Sequence, residues 1–193
     1  MSKIAYKLCR IKKKSPGQIF PLYVLNNEAI PIGEWSKAKV GPLQENGKVK
    51  ASLGKGLAFR PGYHLCDLPL AIHIGEKENG KISYLQKDRV WCKCEYSSDI
   101  DYSLAAKQNG YDENGKYHTN HAYLKYVPVN GYYRFKTNPN MLGDFIIAGE
   151  VKVLQVLSDE EVEKICKENG HEAMPRKEKL NLSDYGFVEG AVS

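Results

Sequence analysis

No apolar run in the chain approaches the ~20 residues that cross a bilayer. The first residues, MSKIAYKLCR, lack the uninterrupted apolar stretch of a secretory leader. A cytosolic protein with no membrane association is therefore the expectation. Arginine is scarce, with five (Arg10, Arg60, Arg89, Arg134, Arg176) against 23 lysines. Base-reading and bidentate contacts favour arginine, so sequence-specific DNA recognition is not expected, while contact with a nucleic-acid backbone stays open. The patterns GxGxxG, GxxxxGK[ST], HExxH and GxSxG are all missing, which argues against the motif-defined nucleotide-binding and hydrolase classes. Cysteine is present five times (Cys9, Cys66, Cys92, Cys94, Cys166), an odd number without a small-scaffold spacing, so reduced intracellular thiols fit better than a disulfide framework.

What is present is an ordinary globular composition. With 193 residues, 42% hydrophobic and 26% charged, the chain is long enough for one domain with a real core. The net charge of +5 is unevenly spread. Residues 1–60 hold twelve lysines and arginines against Glu28, Glu34 and Glu45, a balance of +9, which leaves −4 for the remainder. A basic N-terminal third presents a one-sided field to a phosphate backbone or an acidic protein surface. Lys12, Lys13 and Lys14 in the turn KKKSPG, and Lys48, Lys50 and Lys55 in the Gly-rich stretch 41–56, are the candidate contacts for a nucleic acid or partner. The competing reading of these lysines is a solvated surface.

Periodicity predicts a mainly β chain. IAYKLCRI (Ile4–Ile11) alternates loosely as a strand, IFPLYVL (Ile19–Leu25) reads as an edge strand because of Pro21, and DRVWCKCEY places Val90, Cys92, Cys94 and Tyr96 on one face. GYYRFK and FIIAGEVKVLQVL continue the strand pattern, with Gly149 at a bulge or close approach. CDLPLAIHIG predicts a short helix capped by Asp67, and SLAAKQ one further helical turn. SDEEVEKICKENG carries a capping box, Ser158 with Glu161, and a Gly170 stop. The fold class is α+β: residues 1–170 form one domain with a mixed or mainly antiparallel sheet, two short helices and long loops, and residues 171–193 a surface-lying tail.

Few constellations point to chemistry. Cys92 and Cys94 share a strand face and His118 and His121 are three apart, but neither spacing matches a standard zinc pattern, so no metal is expected and the cysteines read as small core hydrophobes. Cys66 follows His64 by two residues without an assignable third member of a catalytic set. The block GLAFRPGYHLCDLPLAIHIG is denser. It can hold a planar ligand, with Tyr63 stacking, His64 hydrogen bonding and Arg60 meeting a phosphate, or it can simply turn and pack.

The order of AYKLCR, GYHLCDLPLAIHI, VWCKCEY and GEVKVL resembles the layout of mono-ADP-ribosyltransferases. That resemblance implies an NAD cofactor, with Arg10 or Tyr6 holding the dinucleotide, Tyr63 and His64 at the nicotinamide, and Glu150 stabilising the ribosyl cation; His64 and Glu150 would then be catalytic. The wording of LAFRPGYH, VWCKCEY, GYYRFKTNP and GEVKVLQVLSDEEV is similar, over nearly the whole length, to uncharacterised domains carried by phages and plasmids of gut bacteria, sometimes within large polyvalent proteins. This second resemblance implies a mobile-element counter-defence protein without a cofactor. Its partner would be a host defence nuclease or nucleoprotein of the type II CRISPR kind, with Arg10, Arg60, Tyr63 and His64 left as ligand-binding candidates.

Overall fold

Strands form largely where alternation places them. In the computed structural model, which describes residues 1–188, β1 (Ser2–Ile11), β2 (Ile19–Phe20), β3 (Trp35–Lys37), β4 (Tyr63–Leu65), β5 (Glu76–Glu78), β6 (Ile82–Tyr84), β7 (Arg89–Ser97), β8 (Ile100–Asp101), β9 (Gly131–Phe135), β10 (Phe145–Ala148) and β11 (Glu150–Val156) accompany helices α1 (Ser103–Gln108) and α2 (Asp159–Glu168). The chain is a single α+β domain. One sheet has the order β2-β1-β7-β11-β3, a second β4-β10-β9-β8, and β5-β6 is a separate hairpin. Among the paired strands of the described residues only β8–β9 is parallel.

The longest ladder runs antiparallel between β1 and β7, from Ser2 opposite Ser97 to Arg10 opposite Arg89. Cys9 and Ile11 bury on one face with Val90, Cys92 and Cys94, while Leu8 and Trp91 bury on the other. Both faces are therefore covered at this end of the sheet. That is why Trp91, on the polar phase of the alternation, is 1% exposed.

Gly149 divides the apolar run Phe145–Leu157 into two strands that belong to different sheets. A Cβ there would collide with the carbonyl of Pro128, so only glycine allows the close approach. On the other side, Cys66 just beyond β4 exchanges both backbone hydrogen bonds with Tyr6 of β1, at 2.8 and 2.7 Å. The two sheets are thus joined twice, and β4 is carried across the edge of β1.

Three expectations are corrected. The strand expected over 19–25 stops at Phe20, because Pro21 offers no ladder donor and Leu25 adopts a left-handed φ of 50°. The short helix expected after Cys66 is a series of turns: Leu70 N–H donates to the Leu68 carbonyl and Ile74 N–H to that of Ala71. Pro69 disfavours the α region at Leu68, and the Asp67 carboxylate is held bidentately by Arg134 (2.8 and 2.9 Å) instead of capping. The segment from 171 onward does not merely lie on the surface. Leu180 and Leu182 are buried, and the Arg176 side chain, 6% exposed, binds Asp159 of α2 and donates to the carbonyls of Gln86 (2.7 Å) and Arg89 (2.9 Å). The last residues of the expected tail, 189–193, lie outside the described residues. Helix α2 forms with both halves of its capping box, the Ser158 side chain accepting from Glu161 N–H and the Glu161 side chain from Ser158 N–H.

Removing a buried cation from its carboxylate costs about 3 kcal/mol or more. Arg176→Ala is therefore expected to lower the urea-unfolding free energy by about 3 kcal/mol, whereas a surface-lying tail predicts a change within about 0.5 kcal/mol.

Candidate ligand cavity

Between β2 and β4 the chain pairs with the sheet only through β3 and the isolated bridges of Ile30 to Ile19 and Ile32 to Val153, and its loops border a cavity of ≈ 610 Å³ together with residues of β1, β4 and β7. That volume lies within the range that holds small molecules. Lys7, Leu8, Trp91, Tyr63, His64 and Phe145 line it from the strands, Lys7 on the face of β1 opposite that of Leu8 and Trp91, and residues 21–25, 28–31, 38–41 and 57–60 line it from the loops. Val49 lines it too, held by hydrogen bonds between its backbone and that of Leu57 (2.8 and 3.0 Å), while Lys48 and Lys50 on either side of it are exposed.

Two cations line this space without a carboxylate partner among the described residues. Lys7 sits at the centre of β1, on the phase of Ala5 and Cys9, opposite Cys92, and is 9% exposed. Its Nζ lies 3.4 Å from the His64 carbonyl and 5.7 Å from the centre of the Tyr63 ring. Arg60 is half-buried with its guanidinium 4.6 Å over the Phe135 ring, and its buried Nε has no protein partner. Its charge is disfavoured by burial. At the rim, Glu28 and Lys39 neutralise each other at 2.9 Å, leaving the lining with an excess of positive charge. Further unpartnered buried atoms are Nε1 of Trp91 and both ring nitrogens of His73, and both residues line the cavity.

His64 stands between the two cations. Burial, then the charge of Lys7, and a smaller effect of Arg60 hold its pKa at about 4, although the hydrogen bond to Gly62 works the other way. Its Nδ1 lies 3.1 Å from the Gly62 carbonyl, which can only accept, so the neutral ring carries its proton on Nδ1 and leaves Nε2 as an acceptor. The ring packs edge-on against Phe145, with centroids 5.3 Å apart. Tyr63 is fixed from the far side by Ser36 of β3, oxygen to oxygen 2.8 Å. Burial raises its phenol pKa above the ordinary value.

No family model, curated protein or solved structure matches the chain. The reading of the site therefore rests on its own geometry.

Of the residues singled out from sequence, Arg60, Tyr63 and His64 come together in the cavity; Arg10 and Glu150 are not among its lining. Arg10 donates to the Asn26 carbonyl at 3.0 Å. Glu150, half-buried, opens β11 opposite Lys37. Tyr6 is half-buried on β1 and bridges Cys66. Lys12 bonds Asn27 (3.0 Å) over the Phe20 ring, Lys13 pairs with Asp184 (3.7 Å), and Lys14 is exposed in its turn. Lys48, Lys50 and Lys55 are exposed with no ion-pair partner among the described residues. Cys66 has its thiol pushed up to about 12 by burial, far from a reactive thiolate. His118 bonds Asp112 at 2.8 Å, and among the described residues no group of three metal-type ligands assembles. Sequence reasoning passed over Lys7, His73, Trp91 and Phe145. Lys7 carried a signal, since it is a charge on the apolar phase of an alternating strand.

The sign of the His64 effect sets a pH dependence. A histidine whose folded pKa is depressed binds more protons when unfolded, so stability is lost as pH falls from the ordinary value of about 6.5 toward 4. Urea unfolding is expected to weaken by about 1–2 kcal/mol between pH 7 and 5, after discount for partial exposure of the ring. His64→Asn, which keeps a donor toward Gly62 but does not titrate, is expected to flatten that interval.

Proposed function

We propose that the protein binds a small anionic molecule in the cavity and does so without transforming it. The observation that carries this reading is Lys7, a lysine only 9% exposed that lines a ligand-sized space and has no carboxylate partner among the described residues. An unpaired buried charge costs several kcal/mol and is kept where something else answers it. Arg60 doubles the positive charge. The enzymatic alternative, NAD-dependent ADP-ribosyl transfer, requires Glu150 beside the ligand; its position outside the cavity lining favours binding over transfer.

The exposed, ion-pair-free Lys48, Lys50 and Lys55 favour a second reading, in which the outer face of the same segment docks on a nucleic acid or a nucleoprotein nuclease in a counter-defence role. Phosphate contacts make log K fall linearly with log salt. Binding of a generic duplex that weakens steeply from 50 to 200 mM salt, and less steeply after Lys48→Gln/Lys50→Gln, supports it; salt-independent or absent binding counts against it.

For the cavity, the decisive variant is Lys7→Met, which keeps the apolar stem and removes the charge. The free protein is expected to gain about 1–2 kcal/mol of stability, raising Tm by about 2–4 °C per kcal/mol, while stabilisation by anionic ligands in a thermal melt disappears. A destabilised variant that still responds to ligand would reverse the assignment.

A further inference from the structure

We infer that the ligand is an aliphatic carboxylate, its head group at Lys7 beside an unpaired stretch of the β1 edge and its hydrocarbon chain along the loop residues that line the cavity. This inference rests on the cavity reading above and adds the class of molecule. Three observations lead to it.

The edge is the first. Among the described residues, the side of β1 away from β7 is paired at Tyr6, by Cys66, and at Arg10 and Ile11, by β2. Pro21 ends β2, and neither pairing extends to Leu8. The Trp91 carbonyl accepts from Leu157 N–H, so the backbone of Trp91 faces β11, and that of Leu8 opposite it faces away from β7, toward the unpaired stretch. The cavity lies over this gap. That is how Lys7 and Leu8, on opposite faces of β1, both come to line it.

The head group is the second. Glu28 and Lys39 answer each other at 2.9 Å, and the hydroxyls of Ser36 and Tyr63 do so at 2.8 Å. The Arg60 guanidinium lies over the ring of Phe135, which is not part of the lining. The Lys7 ammonium, by contrast, has one 3.4 Å contact, to the His64 carbonyl, for its three donors. A single ammonium matches a single negative charge. A carboxylate brings that charge with two acceptor oxygens. A phosphate monoester brings close to two charges, and the second would be desolvated without a cation against it.

The body is the third. Leu22, Val24, Leu25, Leu57 and Phe59 line the cavity while only half-buried, and Val40 beside them in the lining is 50% exposed. These loops carry apolar surface that nothing in the chain covers, and hydrocarbon laid against it removes water from both partners. A space of ≈ 610 Å³ is far larger than a carboxylate needs, so a chain is required to fill it.

The test is titration of the full chain with hexanoate, octanoate, decanoate and dodecanoate below their micelle concentrations, with decanol and decylamine as the neutral and cationic matches, and with inorganic phosphate and adenosine monophosphate. Calorimetry and a thermal melt are read together. The carboxylates are expected to bind about two- to fourfold tighter per added methylene, and decanol and decylamine about tenfold or more weaker than decanoate. Lys7→Met is expected to bring decanoate to within about twofold of decanol, with the melt of the free variant reporting separately that it is folded. Phosphate or adenosine monophosphate binding more tightly than every one of these carboxylates, or a series flat in chain length, overturns the ligand class and leaves the anion-binding reading standing. Decanol or decylamine binding as tightly as decanoate to the unaltered chain overturns both, since the charge of Lys7 then contributes nothing. No response to any of these molecules overturns both as well.

Discussion

At Gly149 the backbone passes so close to the carbonyl of Pro128 that a methyl group has no room, and the arrangement of the rest follows from that passage. Before it, β10 pairs with β4 and β9; after it, β11 pairs with β7 and β3. One run of apolar residues therefore supplies two sheets. Because Ala148 lies opposite Tyr63 and Val151 opposite Ser36, the same passage brings the Tyr63 hydroxyl within 2.8 Å of the Ser36 hydroxyl and fixes the start of β4. The Tyr6–Cys66 bridge then ties the end of β4 to β1. Tyr63 and His64 are pinned at both ends of a three-residue strand, over Lys7.

That placement sets the electrostatics. The sheet around Lys7 is built from Cys9, Cys92 and Cys94, small apolar groups with no carboxylate to offer, and its upper neighbours are an aromatic ring and a carbonyl. Burial, and after it the charge of the Lys7 ammonium, in turn keep His64 uncharged. A stability-driven sequence would place an apolar side chain at position 7, since exchanging buried charge for packed hydrocarbon is commonly neutral or stabilising. The retention of charge at the expense of stability is the pattern expected where a fold is shaped for a ligand rather than for itself.

Much of the fold was legible in the sequence because its signals are local. The Ser158–Glu161 capping box, the period-two alternation of Val90–Tyr96 and the punctuating Gly149 each specify a geometry within a few residues. The errors came where a distant partner decided. Asp67 reads as a helix cap until Arg134, far along the chain, takes both carboxylate oxygens, and the tail reads as loose until Arg176 reaches Asp159 and the carbonyls beside β7. The site divides in the same way. Arg60, Tyr63 and His64 are adjacent and could be read as a block, whereas Lys7, Trp91 and Phe145 join them only through strand pairing. Arg10 and Glu150 entered through family resemblance, and the chain pairing that seats them directs them elsewhere.

The basic N-terminal third and the cavity are two faces of one segment. Val49 is buried and lines the cavity, and its neighbours Lys48 and Lys50 are exposed without ion-pair partners among the described residues. The alternation that makes Val49 a wall residue forces the lysines to the surface. Outer charges of this kind act at a distance, raising the rate at which anions arrive and losing their effect as salt screens them. Inner charges such as Lys7 and Arg60, with water largely excluded, act on how long a bound anion stays. Under the proposed anion-binding reading, the charge of +9 carried by residues 1–60 separates into a screened part that gathers anions and a desolvated part that holds one.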